Sequence, residues 1–433
     1  MRLNKFCFRA FLTMCCIVIC GSLSAGDGQV DILPNGSETF TISKSGSYIL
    51  TSDVTMTADV NCIDITAGNV ILDLNGHAIT GLGSGSGTAA GVYAAGQSGI
   101  CIRNGAVCSF GGDGINTGNR SHIIDVFLDK NGGDGLEAGS HCCIEGVKAT
   151  YNVANGISAL QSSMVKNCIA NNNGSIGDAS GIDVRDGSTV KGCIANDNDY
   201  RGSEFKYICG VRTQHDCTII GNTCYGNYNK TTIEGGAVHG IKAGNGCTII
   251  NNNSSCNKGS DNRTAAYGIM TGFGCTITGN TCHNNQVFGE GADVYGLYAG
   301  ENCLISDNTC YKNESDADQS TGYGIYTVGS CCVVRGNNCN ENNGVQNGYG
   351  IRVKAGSTRV EGNSCAYHNP GAGIDIDDHV SKCIVIRNNT EGNEDGVCMG
   401  NDANYCAENM CTDGVVDTTG VTVGTGDRSN VSF

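Results

Sequence analysis

Tryptophan is absent from the 433-residue chain and proline occurs only twice, whereas glycine occurs 66 times. This is not the profile of a helical enzyme, and no stretch has the 3.6-residue apolar period of an amphipathic helix. Leucine is too scarce for a leucine-rich repeat, which needs leucine at fixed places. There is also no low-complexity tail and no linker. The chain is therefore expected to form a single repetitive unit.

Basic residues are also few: 26 lysines and arginines stand against 42 aspartates and glutamates, a formal net charge of −16. Such a surface repels nucleic acid and anionic membranes, so we expect neither as a partner. It also repels anionic polysaccharides, unless cations screen or bridge the contact.

The N-terminal segment has the features of a secretory signal peptide. The basic residues Arg2, Lys5 and Arg9 precede an apolar core at 11–20. This core is too short to span a bilayer and is followed by small residues. We predict cleavage after Ala25 and a secreted protein, located outside the cell, in a periplasm or at a cell surface. No other apolar run approaches membrane-spanning length, so no transmembrane segment is expected.

A glycine followed by an aliphatic residue recurs at intervals in the twenties, which is typical of a solenoid whose units contact only their neighbours. Within each unit, apolar and polar residues alternate as in a strand, and asparagine closes a turn. The pattern predicts a parallel β-helix with one coil per repeat. The aligned glycines are Gly114, Gly135, Gly156, Gly181, Gly210, Gly240, Gly268, Gly296, Gly324, Gly350, Gly373 and Gly396.

The stretch GNVILDLNGHAITG at 68–81, followed by coils of the form YGI…CTITGNTC, resembles right-handed parallel β-helix proteins of the pectin-lyase-like superfamily, and among them the NosD-like repeat proteins. The resemblance implies an all-β, single-stranded right-handed β-helix of about 12 or 13 coils. We predict a helix over 61–400, an N-terminal cap over 26–60 and a C-terminal cap or tail over 401–433. The fold hosts lyases, hydrolases, epimerases, adhesins and non-catalytic proteins, so it does not fix an activity.

The phrase GCTITGNTC at 274–282 contains two of the many cysteines, and each aligns with others in register. Because Cys and Ile alternate with Thr, we expect the cysteines to face the interior. A stack of buried free thiols is the first reading, inter-coil disulfides are the second, and a metal site is disfavoured because no C-x-x-C pair exists. The two columns are Cys217, Cys247, Cys275, Cys303 and Cys332, and Cys224, Cys282, Cys310, Cys339 and Cys365, with Cys256 displaced; Asn222, Asn280, Asn308, Asn337 and Asn363 form an expected amide ladder.

The residue after each Gly-aliphatic pair is expected to face solvent, so these residues form one continuous outer face. The face has an aromatic middle, Tyr298 and Tyr326, and a charged cluster on each side. Long insertions before the glycines add an acidic wall, which makes a groove suited to a linear polymer. We predict substrate-binding roles for Asp183, Arg212, Lys242, Tyr298 and Tyr326, and a structural ladder at the turn for Tyr267, Tyr295, Tyr323 and Tyr349.

Four charged residues of this face are the catalytic candidates. Arg352 and Lys354 lie one coil before Asp375 and Asp377, and a polysaccharide lyase needs both a base and a cation that neutralises a uronate, often with Ca²⁺. Two carboxylates at i and i+2 also fall within glycosidase range. The alternative is an ordinary pairing of opposite charges on neighbouring strands. GIDIDDH at 373–379 only partly matches the Asp-Pro-His of alginate epimerases, and the motif series of the polygalacturonases is missing.

Two functions are therefore open. The first is a secreted protein that binds, and in some form processes, a linear polysaccharide or cell-surface glycan along this face, as a lyase, epimerase or hydrolase would. The second is a non-catalytic extracellular or cell-surface protein in which the β-helix acts as a rigid spacer or adhesin. We expect a monomer without a dedicated metal site, and Ca²⁺ is the cofactor to test.

Overall fold

The computed structural model describes residues 28–175, 178–200, 207–230, 236–260, 264–399, 405–407, 409–411, 422–423 and 431–432. The predicted signal peptide and most of the predicted tail lie outside these residues. Regular structure in the described part is β-strand, paired in parallel from coil to coil. No helix in these ranges has the length and hydropathy needed to cross a membrane. The prediction of an all-β parallel β-helix is confirmed.

One sheet, named here the front sheet, carries the outer face that the sequence singles out. Its fifteen strands stack in sequence order. They are Phe40–Ile42, Ile63–Ile65, Val92–Ala94, Ile115–Thr117, Leu136–Ala138, Ile157–Ala159, Ala179–Val184, Tyr207–Thr213, Ala237–Ala243, Ala265–Thr271, Val294–Ala299, Thr321–Thr327, Asn347–Val353, Gly371–Ile376 and Asp395–Met399.

Two back sheets close each coil. The first has 21 strands: Gln29–Ile32, Gly46–Leu50, Val54–Thr55, Val70–Asp73, Ala78–Thr80, Cys101–Cys108, His122–Asp129, Cys143–Glu145, Lys148–Thr150, Met164–Lys166, Ile169–Asn171, Thr189–Lys191, Thr218–Ile220, Thr248–Ile250, Thr276–Thr278, Leu304–Ser306, Val333–Arg335, Arg359–Glu361, Ile384–Ile386, Tyr405–Ala407 and Thr422–Val423. The second has nine: Thr223–Tyr225, Asn253–Ser255, Thr281–His283, Thr309–Tyr311, Asn338–Asn340, Ser364–Ala366, Asn389–Glu391, Met410–Cys411 and Val431–Ser432.

The long insertions begin with strands rather than with loops alone. Two-residue strands at the start of each insertion form a five-stranded side sheet, and the end of each insertion lengthens the front strand that follows. The insertions thus contribute strands as well as loops beside the front sheet. The side sheet contains Asp199–Tyr200, Tyr228–Asn229, Lys258–Gly259, Gln286–Val287 and Glu314–Ser315.

The interior follows from strand alternation, as the stretch at 274–282 shows. Cys275 and Ile277 point inward and are 1% and 0% exposed, whereas Thr276 and Thr278 point outward. The same inward positions stack above and below in every coil, and burying each such side chain contributes about 1.5–3 kcal/mol. Gly268, where the front strand bends, has no room for a side chain, because a Cβ there would lie 2.5 Å from the Gly296 carbonyl oxygen.

The cysteine columns are stacks of free thiols in the described residues, in agreement with the first of the three readings. The first column also has a bonding role that the sequence does not reveal. The Cys275 thiol donates to the Gly244 carbonyl at 3.2 Å and the Cys303 thiol to the Gly272 carbonyl at 3.3 Å, each one coil back. In the second column, burial raises the pKa of the Cys224 thiol, so the group stays neutral. Cys256 is displaced as predicted, and Ser254 takes its place opposite Cys282.

The predicted asparagine ladder is also confirmed. The Asn222 amide donates to the Asn252 side-chain oxygen at 2.9 Å, and Asn252 donates to Asn280 at 2.9 Å. Each amide group also binds a carbonyl of the preceding coil, as Asn280 does to Ile249 at 2.9 Å. These bonds satisfy turn groups that would otherwise be buried without a partner. The series continues through Asn308, Asn337, Asn363, Asn388 and Asn409.

A second amide ladder, which the sequence analysis missed, runs along the opposite edge of the second back sheet. Its members lie three residues after the inward residue of the preceding strand, which is a second-column cysteine in some coils, as Cys282 is before Asn285, and alanine, leucine or serine in others; they donate at 2.7–3.2 Å. His368 replaces asparagine in one coil, where its Nδ1 accepts the Asn342 N–H at 3.1 Å. The ladder contains Asn131, Asn152, Asn173, Asn198, Asn227, Asn257, Asn285, Asn313 and Asn342.

Neighbouring asparagines provide a matched test of the first ladder. Asn252→Ala removes the acceptor of both the Asn222 N–H and its side-chain amide, each buried. We expect the free energy of unfolding in urea to fall by about 1–3 kcal/mol or more, because buried donors lose their partners. Asn253→Ala, at the adjacent exposed position, should change it by less than about 0.5 kcal/mol. Equal losses in the two variants would contradict the role of the ladder.

The presence of free thiols rather than disulfides predicts how the cysteines react with a thiol reagent. Cys331 is exposed while its neighbour Cys332 is buried, so Cys331 should react fastest with a thiol reagent in the native protein, and Cys331→Ser should remove that fast phase. After unfolding without reductant, the number of reactive thiols should equal the number found with reductant. A larger number with reductant would show that disulfides join the coils.

Candidate functional site

The front sheet brings the predicted outer residues into one column, one per coil. Consecutive strand pairings place Asp183 opposite Arg212, Arg212 opposite Lys242, and Tyr298 opposite Tyr326. The whole column reads Asn116, Glu137, Ser158, Asp183, Arg212, Lys242, Met270, Tyr298, Tyr326, Arg352, Asp375 and Cys398. The predicted register is therefore confirmed, although the column is not equally exposed along its length.

Asp183 is buried rather than solvent-facing, which corrects its predicted placement. Arg212 on the next coil donates to both carboxylate oxygens, from Nε at 3.0 Å and from Nη2 at 2.7 Å. The Arg185 guanidinium lies 3.8 Å from the same carboxylate, and Asp183 is left 2% exposed. Burial opposes the charge on Arg212, but the bonds to Asp183 outweigh it and raise the pKa of the guanidinium. Asp183 thus positions cations and offers little surface to a ligand.

These cations line a hollow of about 420 Å³ in the face. Lys242 forms one wall, with its Nζ 4.3 Å from the centre of the Tyr207 ring. His215 forms another; its Nδ1 accepts the Asn245 N–H at 3.0 Å, which leaves Nε2 to carry the proton of the neutral ring. Arg185, Arg212 and Lys242 outnumber the single carboxylate of Asp183 among the lining residues. We name this hollow the basic pocket; it is locally positive on an acidic protein.

Next along the column lies an aromatic surface. Tyr298 and Tyr326 stack on each other, with ring centres 5.5 Å apart. Their edges rest on the tyrosine ladder, since Tyr298 meets Tyr295 at 5.4 Å and Tyr326 meets Tyr323 at 4.8 Å. The two outward rings are therefore held in place by their neighbours, as a stacking surface requires.

The tyrosine ladder is confirmed, but its predicted place at the turn is wrong. Its members lie inside the front strands, two residues before the inward aliphatic residue, because the insertions extend those strands towards the N-terminus. His239 continues the stack and is fully buried, which lowers the pKa of its imidazole. The rings of His239, Tyr267, Tyr295, Tyr323 and Tyr349 stack with centres 4.8–5.6 Å apart.

The wall residue Asp293 is tied to this ladder. Its carboxylate accepts the Tyr295 hydroxyl at 3.2 Å and the Thr321 N–H at 3.0 Å, and burial raises its pKa. The acidic wall predicted from the insertions also includes Glu290, Glu314, Asp316 and Asp318, which lie in the described chain, and Glu204, Glu234 and Asp261, which lie outside the described residues.

The four predicted catalytic residues meet at the far end of the aromatic surface as two cross-strand ion pairs. Arg352 Nε lies 2.9 Å from Asp375 Oδ2, and Lys354 pairs with Asp377. The Arg352 guanidinium also lies 4.6 Å from the centre of the Tyr349 ring. Burial raises the pKa of Asp375 despite Arg352 beside it. The residues are together as predicted, and their catalytic roles stay a prediction.

Carboxyl groups dominate the opposite end of the face. Asn116 donates to Asp113 at 2.9 Å and to Glu137 at 2.5 Å, and the Asp134 N–H donates to Asp113 at 2.8 Å. Burial, together with the charge of Asp113, raises the pKa of Glu137. Across the described ranges, no three His, Cys, Asp or Glu side chains are arranged to hold a metal ion. No step is therefore assigned to Ca²⁺.

Sequence reasoning placed Arg185 beside Asp183, Arg212 and Lys242, but it missed His215 as a pocket residue and the ladder tyrosines as supports of the face. A signal for the last was available, since the stretches YGLY at 295–298 and YGIY at 323–326 repeat in successive coils. The contacts of Arg185 and His215 depend on the rotamer that each side chain adopts. Strand alternation tells which face a residue lies on, but it does not determine the rotamer.

Comparison with known proteins supports the fold. Residues 208–390 match the family model described as "Right handed beta helix region". This match agrees with the parallel coils of the structure, and the predicted right-handed parallel β-helix is confirmed at the level of the fold. No curated protein sequence matches the chain.

Three solved structures are similar to this chain at low identity. The periplasmic alginate epimerase AlgG is 13% identical, over 77% of this chain and 76% of its own, with a TM-score of 0.39. The A-module of the Azotobacter vinelandii mannuronan C-5 epimerase AlgE4 is 16% identical, over 84% and 89%, at 0.41. The Dettilon tailspike protein is 16% identical, over 89% and 59%, at 0.27. At these values no functional residue is transferred to this chain.

The acidic end of the face predicts a pH dependence of stability. Burial, with the charges of Asp113 and Glu137 adding to it, raises the pKa of Asp134 from 3.8 to about 7. The folded protein then holds a proton that the unfolded chain has lost, so the free energy of unfolding falls as pH rises from about 4 to about 7. Asp134→Asn should flatten thermal unfolding curves across that window. Asp318→Asn, at an exposed site, should not, and equal slopes in all three proteins would contradict the assignment.

Proposed function

We propose that the protein binds a linear, carboxylate-bearing polysaccharide along the front-sheet face, from the basic pocket across the aromatic surface to the Arg352–Asp375 pair. The observation that carries this proposal is the order of the face: three cations, then Met270, two stacked tyrosines and a further cation follow one another along one column and its flank. The proposal includes export, supported by the signal-peptide features of residues 1–25.

The basic pocket would hold a charged sugar unit. The Asp183 carboxylate already neutralises part of Arg212, so the unpaired positive charge comes mainly from Arg185 and Lys242, whose side chains face the hollow. Guanidinium and ammonium groups bind carboxylates through charge-assisted hydrogen bonds. Because the rest of the protein is acidic, a polyanion gains attraction here and repulsion elsewhere, which restricts its binding to this strip.

The aromatic surface would hold the next sugar rings. Tyr298 and Tyr326 are half-buried, so part of each ring remains available, and the ladder beneath prevents them from turning away. Adjacent coils are about 4.8 Å apart, so the two rings present a nearly continuous surface along the helix axis. Rigid aromatic rings give contact area at little cost in conformational entropy.

Binding without turnover is the form of this function that the geometry favours. A base at Asp375 or Asp377 must be free to take a proton, yet each of these carboxylates is engaged by a cation on the preceding coil. Such pairs match the ordinary cross-strand alternative. A non-catalytic binding protein is therefore considered beside an enzyme. Measuring whether a product forms distinguishes the two.

The pocket and the aromatic surface can be tested separately. Arg185→Gln/Lys242→Gln should weaken binding to polygalacturonate and alginate about tenfold or more, because each lost charge contact contributes on the order of 1 kcal/mol. Lys191→Gln/Arg335→Gln makes the same charge change at exposed back-sheet positions and should leave affinity within about twofold. Tyr298→Ala/Tyr326→Ala should also weaken binding to polygalacturonate and alginate, because the stacking surface for the next sugar rings is lost.

The same polymers, with and without Ca²⁺, test turnover. An increase in ultraviolet absorbance from unsaturated product that Arg352→Ala and Asp375→Ala abolish would establish a lyase at the predicted residues. Binding with no product under either condition would place the protein in the non-catalytic class. The proposal itself fails if wild-type protein binds none of the polymers, or if the back-sheet control loses affinity as much as the pocket variant.

A further inference from the structure

One corner of the β-helix, on the side away from the front-sheet face, has an unusual backbone. Where the second back sheet turns towards the side sheet, one residue per coil has a positive φ, a conformation that non-glycine side chains seldom adopt. The column, which we name the turn ridge, consists of Tyr151, Asn172, Asp197, Gly226, Cys256, Asn284, Lys312, Glu341 and Tyr367, with φ from 50° to 67°. Because the side chains of the ridge project outward, they are free to meet a ligand.

The ridge has a gap at Gly226. Its neighbours along the helix axis are Asp197 and Cys256, and a Cβ at Gly226 would lie 2.5 Å from the Asp197 Oδ1. A hollow of about 450 Å³ opens at this gap. Its lining comes from four successive coils and includes Asp197, Tyr225, Tyr228, Cys256, Lys258 and Phe288.

Two of the rings in the hollow are exposed to solvent. Tyr225 is 46% exposed and Phe288 51%. The Cys256 thiol beside the Tyr225 hydroxyl raises the pKa of that tyrosine, so the phenol stays neutral and can donate a hydrogen bond. Flat rings with a polar rim are the usual surface for the apolar face of a sugar.

A second hollow of about 250 Å³ adjoins the first and shares Asp197 with it. Tyr151, which is 57% exposed, lies at its far end, and Asn172 and Asp199 lie between. From Tyr151 to Phe288 the groove crosses five coil steps, or roughly 24 Å at about 4.8 Å each. That length accommodates several linked sugar rings, with an aromatic ring at each end.

Charge separates this groove from the front-sheet face. Asp197 and Asp199 supply two carboxylates and Lys258 a single cation, on a chain that is acidic throughout. A polyanion is repelled here, whereas hydroxyl groups can bond to the carboxylates, the amide and the ammonium group. We propose that the groove beside the turn ridge, between Tyr151 and Phe288, is a second carbohydrate site that binds uncharged oligosaccharides.

The site does not depend on the proposed function, and its test uses different ligands. Titration calorimetry with cellohexaose, xylohexaose and mannohexaose should show binding of at least one of them to the wild-type protein. Tyr225→Ala/Phe288→Ala should raise its Kd about tenfold or more, since two exposed rings are lost and tenfold corresponds to about 1.4 kcal/mol. Asp197→Asn, which keeps the shape and removes the charge, should change it less than the double variant does.

Two controls locate the binding. Tyr367→Ala/Phe273→Ala removes the same two residue types at exposed positions outside the groove and should leave the Kd unchanged, as should Arg185→Gln/Lys242→Gln in the basic pocket. Failure of all three neutral oligosaccharides to bind would overturn the proposal. So would equal affinity in Tyr225→Ala/Phe288→Ala and wild type, or loss of neutral binding only in Tyr298→Ala/Tyr326→Ala, which would assign the ligand to the front-sheet face.

Discussion

The structure depends on one constraint: each coil turns sharply within a dry interior, and the backbone groups of those turns must find partners there. The two asparagine ladders meet this demand, because an amide both donates and accepts and so can bind the coils above and below at once. Asn280 shows the full set, accepting from Asn252, donating to Asn308 and donating to the Ile249 carbonyl. Once the turns are fixed in this way, the strands between them must stack in register. Each outward residue therefore has a defined position on the surface.

That fixed register explains which features the sequence predicts. A glycine–aliphatic pair identifies the inward residue of each front strand, so the outward column from Asn116 to Cys398 follows by alternation alone. The ion pair between Arg352 and Asp375 follows too, since they are direct neighbours in that column. Such inferences need only the strand period and the repeat length, and both can be read from the chain.

Features that depend on side-chain direction or on insertions do not follow in this way. Asp183 lies at an outward position of its strand but is buried, because the Arg212 and Arg185 side chains cover it. The tyrosine ladder lies within strands because the insertions lengthen those strands. The alternation of apolar and polar residues in the repeat does not show that the insertions continue the strands. The members of the second amide ladder lie three residues after an inward residue that is cysteine in only some coils, and in one coil His368 replaces the asparagine, so no single spacing identifies the ladder.

The first cysteine column shows why this interior uses thiols where valine or alanine would also fit. The carbonyl groups at the end of the front strands, such as those of Gly244 and Gly272, face inward one coil before each cysteine, and the thiol supplies a weak donor to them. Serine occupies the equivalent position at Ser163, whose hydroxyl donates to the Gly139 carbonyl at 3.4 Å, but a hydroxyl costs more than a thiol where it is left without a partner. A thiol tolerates both situations and still packs as an apolar group. The column therefore both packs in the core and binds carbonyl groups at the turns. The coils have similar interiors, and they differ mainly at their outer surfaces, where the basic pocket, the tyrosines and the turn ridge lie.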